Sequence, residues 1–352
     1  VNEELQDLDS FLGCLLGGAV GDALGAPVEF LSLHEIRREY GCDGVTEMEP
    51  AYGRRGAFTD DTQMTLFTAE GLIRATIRYN QRGICHPASV VHRAYLRWLH
   101  TQGVSWKRTS PDVDFEPDGW LITNEVLHHR RGPGRTCLAA LRSGVMGTVE
   151  RPTNNSKGCG GVMRMAPVGL VAADPFDLGS QCAAITHGHP SGYLAAGAMA
   201  VIVSRILGGH GIEDACRAAL EELAEHDGHQ ETTRAVETAI SLAETKPPSP
   251  EAVATLGEGW IAEEALAIAL YCALTARDFR SGVLAAVNHG GDSDSTGAIT
   301  GNILGCMLGV DAIPTGWLDQ IEVRDVIERV ARDLYRCVDD DGVEEMEGYG
   351  GW

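Results

Sequence analysis

Glycine recurs at every fourth position in two apolar stretches of the chain, at 13, 17, 21 and 25 within Phe11 to Gly25 and at 297, 301, 305 and 309. A four-residue spacing puts each set on one face of a helix, where the missing side chains let two backbones approach closely. Each such glycine weakens a helix by up to about 1 kcal/mol relative to alanine, so close packing has to compensate. Both stretches are therefore expected to be helices buried at the centre of the fold, with loops as the alternative. Glycine is in excess overall, 43 of 352 residues.

Apolar residues recur with a helical period elsewhere too. Ile212, Ala215, Ala219, Leu220 and Leu223 make one stripe; Ala265, Leu266, Ala269, Leu270 and Ala273 another; Ile327, Val330, Ala331 and Leu334 a third. No sustained alternating segment is flanked by hairpin turns, so the fold class is all-α. The breaks at Lys246 to Pro250 and at Gly103 to Gly119 do not resemble a flexible linker. One compact domain over residues 1–352 is expected, with a core of about 11–336 and an acidic tail, 338–352, that frays or lies on the surface. His128, His129, Arg130 and Arg131 read as a basic surface patch.

The stretch Leu194 to Leu207 is shorter than the roughly 20 residues that cross a bilayer and reads as a buried helix, while Asp22 interrupts the first glycine segment. No secretory signal is visible, and ten cysteines without a CxxC pair suit reduced, mostly buried thiols. A cytoplasmic protein is expected. With 50 acidic against 28 basic side chains, a net charge of −22 disfavours nucleic acid and anionic membrane as partners.

Two acidic motifs sit where helices begin. Gly290-Gly-Asp-Ser-Asp-Ser-Thr296 precedes the second glycine stripe, and Phe58-Thr-Asp-Asp-Thr-Gln63 precedes the helical face of Leu66, Ala69, Leu72 and Ile73. Helix capping explains either one alone. Jointly, Thr59, Asp60 and Asp61 meeting Asp292, Asp294 and Ser295 would offer hard oxygen ligands, and cations would relieve the repulsion between the acids. Two divalent metal ions are a natural solution. Glu29, just past the first glycine helix, is either solvated or an acid pointing into the site, and Asp22 needs a buried partner. The Gly158-Cys-Gly-Gly161 turn lacks a nucleotide-fold spacing but is able to offer backbone N–H groups to phosphate, with Lys157 or Arg164 nearby. A tight loop explains it equally well. His187 and His189 either contact substrate or cap the helix after them.

These motifs resemble the metal-dependent ADP-ribosylglycohydrolases, also called ADP-ribosyl-acceptor hydrolases, the group that includes the dinitrogenase reductase-activating glycohydrolases. The likeness rests on Gly17 to Gly25, Thr59 to Gln63, Gly158 to Arg164, Thr186-His187 and Gly290 to Ser295, in the family's order. It implies an orthogonal helical bundle with a binuclear Mg²⁺ or Mn²⁺ site at helix termini, and hydrolysis of ADP-ribose from a modified protein, arginine being the first choice of acceptor. It also implies Thr59, Asp60, Asp61, Asp292, Asp294 and Ser295 as metal ligands, with Ser295 standing where many members have threonine. Glu29 is implied as the catalytic acid, and Asp61, a metal-ligating aspartate, is the second choice for activating water. Gly158, Cys159, Gly160, Gly161 and His187 match positions that contact ADP-ribose, although Cys159 replaces a polar residue of some members. Asp118 is an additional substrate-binding candidate in a variable region.

The alternatives are a catalytically silent ADP-ribose or toxin-binding protein and a two-metal phosphohydrolase. ADP-ribose is the expected product, and an ADP-ribosylating toxin is a candidate partner in an immunity setting.

Overall fold

The computed structural model describes residues 3–106, 117–338 and 346–350, with side chains from residue 8 of the first helix onward. Among the described residues there are 16 helices, which make up 63% of the structure. The strands among the described residues are a two-residue pair, Pro50–Ala51 antiparallel to Arg54–Arg55. The all-α expectation holds, and the named stripes are buried apart from Leu220, which packs half-buried against the core.

The two glycine stripes face each other. Helix Glu3–Gly25 lies against helix Ser293–Leu308 so closely that a Cβ on Gly21 would stand 1.9 Å from the Gly297 carbonyl oxygen, one on Gly301 2.1 Å from that of Gly17, and one on Gly305 1.9 Å from that of Gly13. Position rises along one helix as it falls along the other, so the pair is antiparallel. Asn302 bridges the backbones, its side-chain N–H donating to the Cys14 carbonyl at 2.7 Å. This pairing sets the end of the first helix against the start of the second, and Gly25 meets the Ser293 backbone. Glu29 and the Asp292–Asp294 motif, more than 260 positions apart, are thereby brought to one end of the bundle.

Helices over Leu8–Gly25 and Pro190–Leu207 have the length and hydropathy to cross a bilayer, the second being longer than its apolar stretch suggested, yet 78% and 72% of these windows are buried within the protein.

Three expectations need correction. The end of the chain does not fray throughout: Tyr349 is buried, its hydroxyl donates to Asp333 Oδ2 at 2.9 Å, and its ring meets Trp120 edge-on. Replacing Tyr349 with alanine is expected to cost about 3 kcal/mol, measured by chemical denaturation. Arg131 is no surface charge but is buried against Glu322, with His128, His129 and Arg130 exposed beside it. Arg164 is also in the core, over the Tyr95 ring and donating to Thr186. The acidic run 339–345 and residues 107–116 lie outside the described residues.

Candidate active site

Asp22 forms the clamp beneath the site. From inside the glycine helix its carboxylate accepts the Thr59 N–H at 2.8 Å and both the N–H and hydroxyl of Thr62, at 3.0 and 2.6 Å. It is thus the first helix's hold on the start of helix Asp60–Arg82, and it satisfies a buried acid that would otherwise be costly. Thr59 caps that helix, its hydroxyl accepting the Asp61 N–H and donating to Asp61 Oδ2, both at 3.3 Å. Asp60 is held by the Gly134 N–H on Oδ2 at 3.2 Å.

On the other motif, Asp292 occupies the N-cap position of helix Ser293–Leu308 but caps nothing with its side chain. Its Oδ2 instead accepts the Cys159 thiol at 2.8 Å, and Ser295 Oγ lies 3.7 Å from the same sulfur. Cys159 therefore turns its side chain toward the acids rather than along the glycine loop. Capping does not account for this motif.

Glu29, Asp292 and Asp294 each contribute a carboxylate oxygen to a group whose members lie within 4.8 Å of one another. Glu29 Oε2, Asp61 Oδ1 and Asp294 Oδ1 are buried with no hydrogen-bond partner among the described residues. Arg131, next to Gly132, and Lys157, two positions before Cys159, are committed elsewhere, to Glu322 and to Glu231 and Glu263 respectively. Orphaned carboxylate oxygens crowded without a compensating positive charge suit a divalent metal, which supplies the missing charge and takes oxygen ligands. The two helix N-termini beneath the motifs add a further favourable field for anions.

Burial, followed by the charges of Asp294 and Asp292, pushes Glu29 up to about 10, and burial with Asp294 pushes Asp22 up to about 7. Asp60, Asp61 and Asp292 also rise well above the usual carboxylate range, chiefly through burial. The folded, cation-free protein thus binds more protons than the unfolded chain. Its stability falls as pH climbs from about 4, where unfolded carboxyls ionise, toward the folded value of Glu29. The thermal midpoint of chelator-treated protein is expected to drop between about pH 5 and about pH 8, and added Mg²⁺ or Mn²⁺ to raise it more at the higher pH. A cation effect that is equal at both pH values, or absent, would contradict the crowded-acid picture.

The glycine loop forms a second wall. A short turn over Cys159–Gly161 is tied to the segment before helix Ala262–Leu274 by the Cys159 N–H to the Trp260 carbonyl at 3.1 Å and the Ala262 N–H to the Lys157 carbonyl at 2.8 Å. The His187 ring packs under the loop, where a Cβ on Gly160 would come within 3.1 Å of it. Its Nδ1 lies 2.8 Å from the Thr186 hydroxyl, and burial with the Arg164 charge lowers it to about 3, so the ring is neutral. His189 instead caps helix Pro190–Leu207. Neither Lys157, ion-paired at the surface, nor Arg164, in the core, is free for phosphate.

Asp118 stands apart from the acids. Its carboxylate pairs with Arg74 at 3.3 Å, on a buried network in which Glu70 also binds Arg74 and Arg97. Tyr52, Gly132 and Gly134, which sequence reasoning missed, border the acids. They sit in a hairpin tip and a turn without a motif, and the one sequence hint is the pair of glycines flanking Pro133.

A sequence profile described as ADP-ribosylglycohydrolase matches residues 3–343. The chain is 29% identical to the ADP-ribosyl-[dinitrogen reductase] glycohydrolase of Rhodospirillum rubrum, over 94% of this chain and 95% of that protein. It is 25% identical to the ADP-ribosylarginine hydrolase Tri1 of Pseudomonas putida, over 94% and 79% respectively. A solved structure titled as an ADP-ribosylglycohydrolase-related protein complex superposes with a TM-score of 0.64 at 29% identity, covering 95% of this chain and 99% of that one.

Proposed function

Because the chain belongs to the ADP-ribosylglycohydrolase family, whose activity is removal of ADP-ribose from modified substrates, we propose that its acceptor is an arginine side chain of a modified protein and that hydrolysis depends on two divalent cations, Mg²⁺ or Mn²⁺. The observation that carries this reading is the convergence of Glu29, Asp292 and Asp294, with orphaned buried oxygens on Glu29, Asp61 and Asp294. Arginine is supported by the activity named for the Pseudomonas putida relative. The unpaired state of all ten cysteines suits a reducing compartment, and the cytoplasm is the proposed location.

Thr59, Asp60, Asp61, Asp292, Asp294 and Ser295 would hold the cations. When bound, these ions supply positive charge for orienting ribose hydroxyls and lowering the pKa of water toward neutrality. With the burial and repulsion that keep these carboxyls protonated in the cation-free protein offset by bound cations, Glu29, or Asp61 in its place, accepts a proton from the attacking water as the water oxygen bonds to the anomeric carbon and the carbon–nitrogen bond breaks. The bonding pair leaves on the guanidine nitrogen, which then takes up the proton held by the acid. The surrounding carboxylates stabilise the positive charge that develops on the sugar. Along the other wall, Gly158, Cys159, Gly160 and Gly161 present their backbone to ADP-ribose, and His187, kept neutral, supports that loop from below.

The test is incubation with Mg²⁺ or Mn²⁺ and a panel of arginine-, serine- and aspartate-linked ADP-ribosyl substrates. Free ADP-ribose from the arginine conjugate alone is expected. Release from the serine conjugate would overturn the acceptor, and release of phosphate or AMP would overturn the glycosidic chemistry.

A further inference from the structure

Tyr52 is the third wall of the site. It sits at the turn of the Pro50–Arg55 hairpin in the left-handed region, at φ 51°, where a non-glycine residue costs about 1 kcal/mol or more. The tip is held rather than loose. Arg131 lies 5.7 Å from the ring centroid, and Arg131 itself is fixed by Glu322 and by donating to the Phe58 carbonyl at 3.1 Å. The strained backbone thus aims a side chain that is 46% exposed and makes no hydrogen bond among the described residues.

Its hydroxyl points to the acids. A Cβ placed on Gly132 would stand 3.3 Å from the Tyr52 hydroxyl and 3.6 Å from both Asp60 Oδ1 and Glu29 Oε2. These three oxygens therefore surround one point, which Gly132, with no side chain, leaves open. Burial and the charges of Glu29, Asp294, Asp22 and Asp60 keep the phenol protonated, consistent with that facing. The glycine loop borders the acids elsewhere, through the contact of Cys159 with Asp292. With ADP-ribose along the glycine loop, as in the reading above, the opening at Gly132 beside Glu29 and Asp60 is left for the departing group.

We propose that Tyr52 is a specificity-determining contact for the acceptor, its phenol oxygen accepting a hydrogen bond from the guanidinium N–H of the modified arginine. This rests on the arginine reading above. A guanidinium carries only donors, and the open point offers it a neutral phenol oxygen alongside two carboxylates.

The test compares wild type with Tyr52→Phe on free ADP-ribosyl-arginine, with ADP-ribose as a competing product. Wild-type hydrolysis of this substrate checks the arginine reading by itself, and the difference between the two proteins checks Tyr52. Tyr52→Phe is expected to raise KM about tenfold, with kcat within about threefold and ADP-ribose inhibition unchanged, as when a hydrogen bond to a charged group is lost from binding. An unchanged KM would overturn the proposal. So would a parallel loss of ADP-ribose affinity, which would put the phenol on the other half of the substrate, or a fall in kcat alone. An unaltered thermal midpoint in Tyr52→Phe separates the loss from a structural role.

Discussion

Asp294→Asn protein is expected to fold, to resist heat better than wild type when both are free of cations, and to release ADP-ribose at least about a thousandfold more slowly. The two effects have one cause. Asp294 is buried, one of its oxygens has no partner, and its charge is among the causes that raise Asp22, Glu29, Asp60, Asp61 and Asp292. Removing that charge relieves repulsion among the remaining acids, and in a chain this long each 1 kcal/mol gained raises the midpoint by about 1.4 °C. It also removes an anionic oxygen from the proposed cation site. A variant damaged in its fold would lose activity and stability together, so the opposite signs are diagnostic. Calorimetry on chelated protein and an ADP-ribose release assay measure both.

Gly301→Ala is expected to cost more than about 4 kcal/mol, enough to leave little soluble folded protein. The new Cβ would meet the Gly17 carbonyl oxygen at 2.1 Å, and that oxygen belongs to a helix backbone that is fixed along its length by the same register. No rotamer change relieves the clash; the helices must separate. Separation moves the end of one glycine helix from the start of the other and so takes Glu29 away from Asp292 and Asp294. Gly316→Ala is the control. Its Cβ would meet nothing within 4 Å, and in helix Thr315–Leu318 alanine should be neutral or stabilising by up to about 1 kcal/mol. Denaturant unfolding of the two variants gives the comparison.

The glycine register and the acid motifs were legible because each is written locally: a four-residue period, and acids placed where a helix starts. The two stripes pack against each other, and the segments at their ends bring Glu29 to Asp292 and Asp294. What escaped depends on partners that no local pattern names. Arg131 sits in a run of basic residues and looks solvated, yet Glu322 draws it inside. Arg164 looked available to phosphate, yet the Tyr95 ring and Thr186 hold it in the core. Tyr349 follows a polar, acidic stretch, and only Trp120 and Asp333 give it a reason to be buried. Cys159 was expected among the ligand-loop contacts; its loop is there, but the thiol faces Asp292. Asp118, assigned to substrate in a variable region, is paired with Arg74. Tyr52 had no signal, since its position depends on a hairpin of two-residue strands and on Arg131 behind it.

The most direct measurement is ADP-ribose release from an arginine-linked substrate by chelator-treated protein, verified free of metal, before and after Mg²⁺ or Mn²⁺ is restored. The convergence of Glu29, Asp292 and Asp294, with orphaned buried oxygens on Glu29, Asp61 and Asp294, predicts a rate below about 1% of the original without cations and recovery when they return. Full-rate hydrolysis by the metal-free protein would contradict it.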